Sequence, residues 1–138
     1  MSYLLDTNVF VSLINGRAPS LRLRYQSEVD RHRPIYLSSI VQYELLYGVS
    51  KSVQKEKNRI RLAEAFGPEV TLLPFEAADA AEAARIRATL EARKQPIGHY
   101  DTLIAGQALA RNLTLVTANS REFACIEGLK WQDWTSTP

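Results

Sequence analysis

The stretch LLDTNVFVSLI, residues 4–14, decides the fold. Leu4 and Leu5 form a short apolar run of strand character, which Asp6 ends. Val9, Phe10, Val11, Leu13 and Ile14 continue as a helix, and Asn15-Gly16 stops it. A buried strand that passes straight into a helix is the repeating step of a parallel α/β sheet. An ionised side chain at that junction is costly to bury unless something pairs with it. Asp6 is therefore a boundary mark and a candidate functional group at once.

Working outward, the alternation continues. Residues 20–33 read as a charged helix with Leu21, Tyr25 and Val29 on one face, and Pro34 breaks it. Ile35–Leu37 is a second strand. Ser39 and Gln42 form an S-x-x-Q capping box, opening a helix whose Ile40, Val41, Tyr43, Leu45 and Leu46 predict deep burial. Residues 51–66 read as one amphipathic helix with Ile60, Leu62, Ala63 and Phe66 inward. Val70–Leu73 is a third strand. The Ala-rich stretch 76–94 has the strongest helix propensity, and 100–111 is a further helix. Leu113–Val116 is a fourth strand, and Leu129–Trp131 a short fifth.

Strands alternating with helices predict an α/β fold, with a parallel sheet of about four or five strands covered on both faces. The 138 residues suffice for one domain with a real core. The expected single domain spans 1–138, with 135–138 a frayed tail. A net charge of +2 permits nucleic-acid contact without arguing for it. The one cysteine excludes an internal disulfide and a cysteine-rich zinc site, and it suits a reducing cytoplasm. No basic segment leads into a long apolar one, so neither a signal peptide nor a membrane-spanning helix is expected.

Two further acids share the setting of Asp6: Glu44 in IVQYELLYGV and Asp101 in IGHYDTLIAGQAL. Ligands of open parallel sheets bind beyond the carboxyl ends of the strands. Asp6 ends the first strand, and Asn119 follows the fourth. Asp101 falls in the first turn of its helix and Glu44 in the second turn of its own. Taken singly, Asp6 and Asp101 are well explained as helix-start acids, worth roughly 0.3–1 kcal/mol each. Glu44 is harder to explain that way. Taken together, the three favour a cation site. All the donors are oxygens, which suits Mg²⁺ or Mn²⁺ rather than Zn²⁺. Such ions act on phosphate esters by activating water and neutralising charge. His99 reads as a surface residue, Cys125 as a small buried one, and Trp131 and Trp134 as core packing. The cations of 51–61, with Arg17, Arg22 and Arg24, read mainly as solvated helix faces.

Three blocks, LLDTNVFVSLI (4–14), SSIVQYELLYGV (38–49) and PIGHYDTLIAGQALARNLTLVTANSREF (96–123), closely resemble the PIN-domain ribonucleases. Within them the pattern is similar to the VapC toxins of VapBC toxin–antitoxin pairs. The resemblance implies a PIN-like three-layer α/β/α fold and RNA cleavage with Mg²⁺ or Mn²⁺. It implies Asp6, Glu44 and Asp101 as metal-holding, catalytic acids. Asn119 stands where many PIN domains have a fourth Asp. Glu122 matches the second acid of that block, and Thr7 a hydroxyl that supports the first. A VapB-type antitoxin, a toxin homodimer and larger toxin–antitoxin assemblies are implied as partners. The VTANSREF block is similar to members that cut initiator tRNA in its anticodon loop. Two other readings compete. A receiver-like signalling domain needs paired early acids, which Asp6 lacks. A non-catalytic module of the same fold is disfavoured by the three intact acids.

Overall fold

In the computed structural model, residues 1–135 are described. Five strands, β1 (Tyr3–Leu5), β2 (Ile35–Ser38), β3 (Val70–Leu73), β4 (Thr114–Val116) and β5 (Trp131–Gln132), form one sheet in the order β3-β2-β1-β4-β5. All pairings are parallel. Among the described residues seven helices flank it: α1 (Thr7–Ile14), α2 (Pro19–Asp30), α3 (Ser39–Ser50), α4 (Lys55–Glu64), α5 (Ala77–Ala92), α6 (His99–Ala110) and α7 (Ser120–Phe123). The expected parallel α/β architecture is present, with α7 an addition that its four-residue length kept out of any periodicity. No helix is long and apolar enough to cross a membrane among the described residues.

β1 is the middle strand, and Tyr3, Leu4 and Leu5 are fully buried, as a strand covered on both faces must be. Its pairing extends past Leu5: the Asp6 amide donates to the Val116 carbonyl at 3.0 Å. Phe10 and Leu13 of α1 pack into the core, and Phe66 meets Phe10 edge-on at 5.0 Å. Gly16 closes α1 with φ 66°, a backbone state open to glycine at little cost.

Helices α5 and α6 pack closely. A Cβ on Gly106 would lie 2.6 Å from the Ala83 backbone, so only glycine permits this approach. Asp79 and Glu76 form a capping box at the start of α5. Arg111 locks the pair by donating to both Asp79 oxygens, at 2.9 and 3.0 Å.

The structure corrects several expectations. Ser38, not Ser39, caps α3, its hydroxyl accepting from the Ile40 amide at 3.1 Å. Ser39 instead accepts from the Phe75 amide at 2.9 Å. α3 is not deeply buried: only Val41 and Leu45, one turn apart, are enclosed, while Tyr43, Leu46 and Tyr47 are exposed. Only one helix face meets the sheet, whatever the hydropathy of the others. The stretch 51–54 is turn rather than helix. On α4 Ile60 and Ala63 face solvent, and only Leu62 turns inward. The basic surface is partly neutralised, since Arg24 pairs with buried Glu28 and Arg59 with Glu56. Trp134 is buried edge-on to Tyr3 at 4.8 Å, whereas Trp131 is exposed. Cys125 is only partly buried. Of the expected frayed tail, Thr135 is anchored, its carbonyl accepting from Ser20 Oγ at 2.9 Å. Residues 136–138 lie outside the described residues.

Candidate active site

Asp6 performs the helix-start role expected of an isolated acid: Oδ1 accepts the Val9 amide at 2.9 Å and caps α1. Yet it is only 5% exposed, too buried for an ordinary capping residue. Burial pushes its carboxyl above the usual range. Hydrogen bonds from the Thr117 hydroxyl and the Val9 amide pull it back, and the charge of Glu44 pushes it up again.

Glu44 stands half-buried on the second turn of α3. The Thr7 hydroxyl donates to its Oε1 at 2.7 Å, so Thr7 braces Glu44 directly. The resemblance had paired Thr7 with the first acid instead.

Asp101 is in the first turn of α6. Burial, then the hydrogen bond and charge of Glu122, then the charges of Asp6 and Glu44 push its carboxyl up to about 7. Room for it exists because residue 98 is glycine. A Cβ there would lie 3.3 Å from Asp101 Oδ2. Glu122, from α7, lies beside Asp101, and its Oε2 is buried with no hydrogen-bond partner among the described residues. Asn119 is exposed, and its side chain makes no capping bond at α7. Its backbone amide donates to Thr117 Oγ1 at 2.9 Å.

The fold therefore brings Asp6, Glu44, Asp101 and Glu122 within electrostatic reach of one another. Asn119 reaches them through Thr117 rather than through its own side chain. Thr117, wholly buried just past β4, went unnoticed in the sequence. Its only signal there is a position immediately after the strand and two residues before Asn119.

Among the described residues, no three Asp, Glu, His or Cys side chains stand close enough together to hold a metal ion between them. Mg²⁺ keeps several waters and needs only one or two carboxylates, so an open arrangement suits it. The oxygen-only donor set, the unpartnered Glu122 Oε2 and the upward-shifted Asp6 and Asp101 all fit a hard divalent cation. A cleft of about 310 Å³ runs from Thr7 and Glu44 between α1, α3 and α4, past Gly48 and Asn58 to Arg61.

Comparison with known proteins agrees with this architecture. A family model described as "PIN domain" matches residues 3–129. The chain is 35% identical to "tRNA(fMet)-specific endonuclease VapC" of Shigella flexneri, covering 98% of this chain and 99% of that protein. It is 39% identical to "Ribonuclease VapC2" of Rickettsia felis, covering 97% and 98%. The solved structure of VapBC2 from Rickettsia felis bound to a promoter DNA fragment superposes with a TM-score of 0.89, at 38% identity, over 97% of this chain and 99% of that one. The agreement favours this family over a receiver-like signalling domain. With its matched sequence and its five-stranded parallel sheet, the chain belongs to the PIN-domain family.

Proposed function

We propose that this protein is a Mg²⁺- or Mn²⁺-dependent endoribonuclease, the toxin of a VapBC-type toxin–antitoxin pair. One observation carries the reading: Asp6 just past β1, Glu44 on α3, Asp101 on α6 and Glu122 on α7 lie within electrostatic reach of one another, in a chain similar along its length to named VapC ribonucleases. Asp6, Asp101 and Glu44 would hold the cation, with Glu122 beside them. When bound, such a cation activates water and neutralises charge on the phosphodiester.

The chain's own residues prepare that chemistry. Thr7 fixes the orientation of Glu44. The low exposure of Asp6 keeps bulk water from screening its charge. Burial and the neighbouring Glu122 raise the proton affinity of Asp101, and a cation held at the mouth would displace that proton. Hydrolysis adds water across one P–O bond, leaving a phosphate on one fragment and a hydroxyl on the other. The substrate we assign is an RNA with an unpaired loop, since single-stranded segments offer their backbone and bases to a protein edge. Initiator tRNA is the first to test, because the Shigella flexneri relative is named for it. The antitoxin partner would silence the enzyme by laying a segment along the cleft toward Glu44. A homodimer and a cytoplasmic setting complete the reading.

The test is direct. Purified protein should cut RNA with added Mg²⁺ or Mn²⁺, and Asp6→Asn and Asp101→Asn should abolish cutting while still showing a cooperative melting transition. Sequencing RNA 5′ ends after brief expression of wild type and Asp6→Asn would identify the target. Equal cleavage by the folded variants would overturn the reading.

A further inference from the structure

We infer that Tyr43 and Tyr100 form a stacking platform for an unpaired base of the substrate RNA, set beside the acids. This deepens the nuclease reading and rests on it.

Exposed apolar side chains scattered singly need no explanation, but a contiguous group marks a contact surface. Three of the four exposed aromatic side chains among the described residues, Tyr43, Tyr47 and Tyr100, lie together, and Trp131 is the fourth. Tyr43 and Tyr47 are one turn apart on α3, and both line a hollow of about 470 Å³. Tyr100, at the start of α6, meets Tyr43 with ring centres 5.7 Å apart, and its hydroxyl donates to the Tyr43 hydroxyl at 3.4 Å.

Tyr43 immediately precedes Glu44, and Tyr100 immediately precedes Asp101. One residue advances a helix by about 1.5 Å, so both rings start beside acids proposed to hold the cation. An RNA strand with a phosphate at those acids carries its neighbouring bases past the tyrosines. Every base has a π-face, and aromatic rings beside positive charge hold single strands without reading their sequence. Lys51 supplies the charge, its Nζ lying 5.1 Å from the centre of the Tyr47 ring. Lysine is depleted from contacts between proteins, which favours RNA over a second copy of this chain as the occupant.

The geometry also says how a base would sit. Slotting it between two rings needs about 7 Å, twice the stacking step of about 3.4 Å. The pair is closer than that and tilted by 45°, so the base stacks on an outer face. The bond between the hydroxyls restrains the rings before RNA arrives, and less freedom is lost on binding.

Stacking of a base on an aromatic side chain is worth about 5- to 150-fold in affinity by alanine substitution. We therefore titrate whole protein, kept from cutting by EDTA, against two short labelled probes of equal length and read fluorescence anisotropy. One probe is an unstructured RNA, and the other is a sugar-phosphate chain that carries no bases. Wild type is compared with Tyr43→Ala and Tyr100→Ala, which remove a ring, and with Tyr43→Phe, which keeps it. A melting curve checks the fold of each, and sedimentation its mass. The inference expects at least about fivefold weaker RNA binding by both Ala variants, near-wild-type binding by the Phe variant, and no change on the base-free chain. Wild-type RNA affinity in either folded Ala variant would overturn it, and a smaller sedimenting mass in that variant would assign the strip to a second copy instead. A Phe variant as weak as Ala would overturn it, because the ring alone would not suffice. So would a wild type that binds the RNA no more tightly than the base-free chain. Cutting of RNA by the same wild-type preparation on adding Mg²⁺ reports separately on the nuclease reading.

Discussion

Asp101 is the residue most exposed to the consequences of crowding like charges. Its carboxyl titrates near 7 in the folded chain, against 3.8 for the free side chain, with burial the leading cause. The folded state therefore binds the proton more tightly than the unfolded state. Between those two values stability falls as pH rises, and above about 7 the loss is complete. Without divalent cation, wild-type protein should lose melting temperature from pH 4 toward pH 7 more steeply than Asp101→Asn. Added Mg²⁺ should raise the wild-type melting temperature more at alkaline than at acid pH, because cation and proton compete. A wild-type slope no steeper than that of Asp101→Asn would refute the shift. Asn119 and Glu122 provide a second contrast. Asn119 works through its backbone amide, which Asn119→Ala retains. Glu122 contacts Asp101 with its side chain. Glu122→Gln should reduce RNA cleavage more than Asn119→Ala in a steady-state assay. Asp6, Glu44 and Asp101 were legible in the sequence because a charge inside an apolar run is conspicuous. Thr117 and the inward turn of Glu122 were not, since a threonine after a strand is common and a four-residue helix has no readable face.

Among the elements, the α5–α6 pair makes the sharpest prediction. Gly106→Ala would drive a methyl into the Ala83 backbone, and neither helix can yield without disturbing the Arg111–Asp79 bonds. Overpacking of this kind typically costs about 1–3 kcal/mol, to be read from chemical denaturation. An unchanged unfolding midpoint would mean that the helices part freely. The helices themselves were readable from period and punctuation, but their immersion was not. α3 looks apolar all round, yet its tyrosines face solvent, because composition cannot say how many neighbours a helix has. The neighbouring serines 38 and 39 are equivalent capping candidates in a linear text. Only the pairing of Ser38 in β2 with Leu73 decides where the strand stops and the helix starts.

For the whole molecule, the sheet order follows from its connections. The chain winds outward from β1 through β2 to β3, then returns to the other side for β4 and β5. The parallel alternation was legible because each strand is a short apolar run between helices, whereas the two-residue β5 lay at the limit of recognition. That small strand is held by Trp134, buried against Tyr3. Trp134→Ala should destabilise the domain by about 3–5 kcal/mol, measurable in urea. A loss well below that range would mean β5 is held by its backbone bonds alone.

The same winding has a bearing on synthesis. Asp6 and Glu44 are made before the strand that closes beside β1 and the helix that carries Glu122. A nascent chain lacking residues 101–122 has neither the second half of the acid mouth nor the neighbour that completes the central strand. The acid mouth is thus assembled from both halves of the chain, and only α6 and α7 complete it.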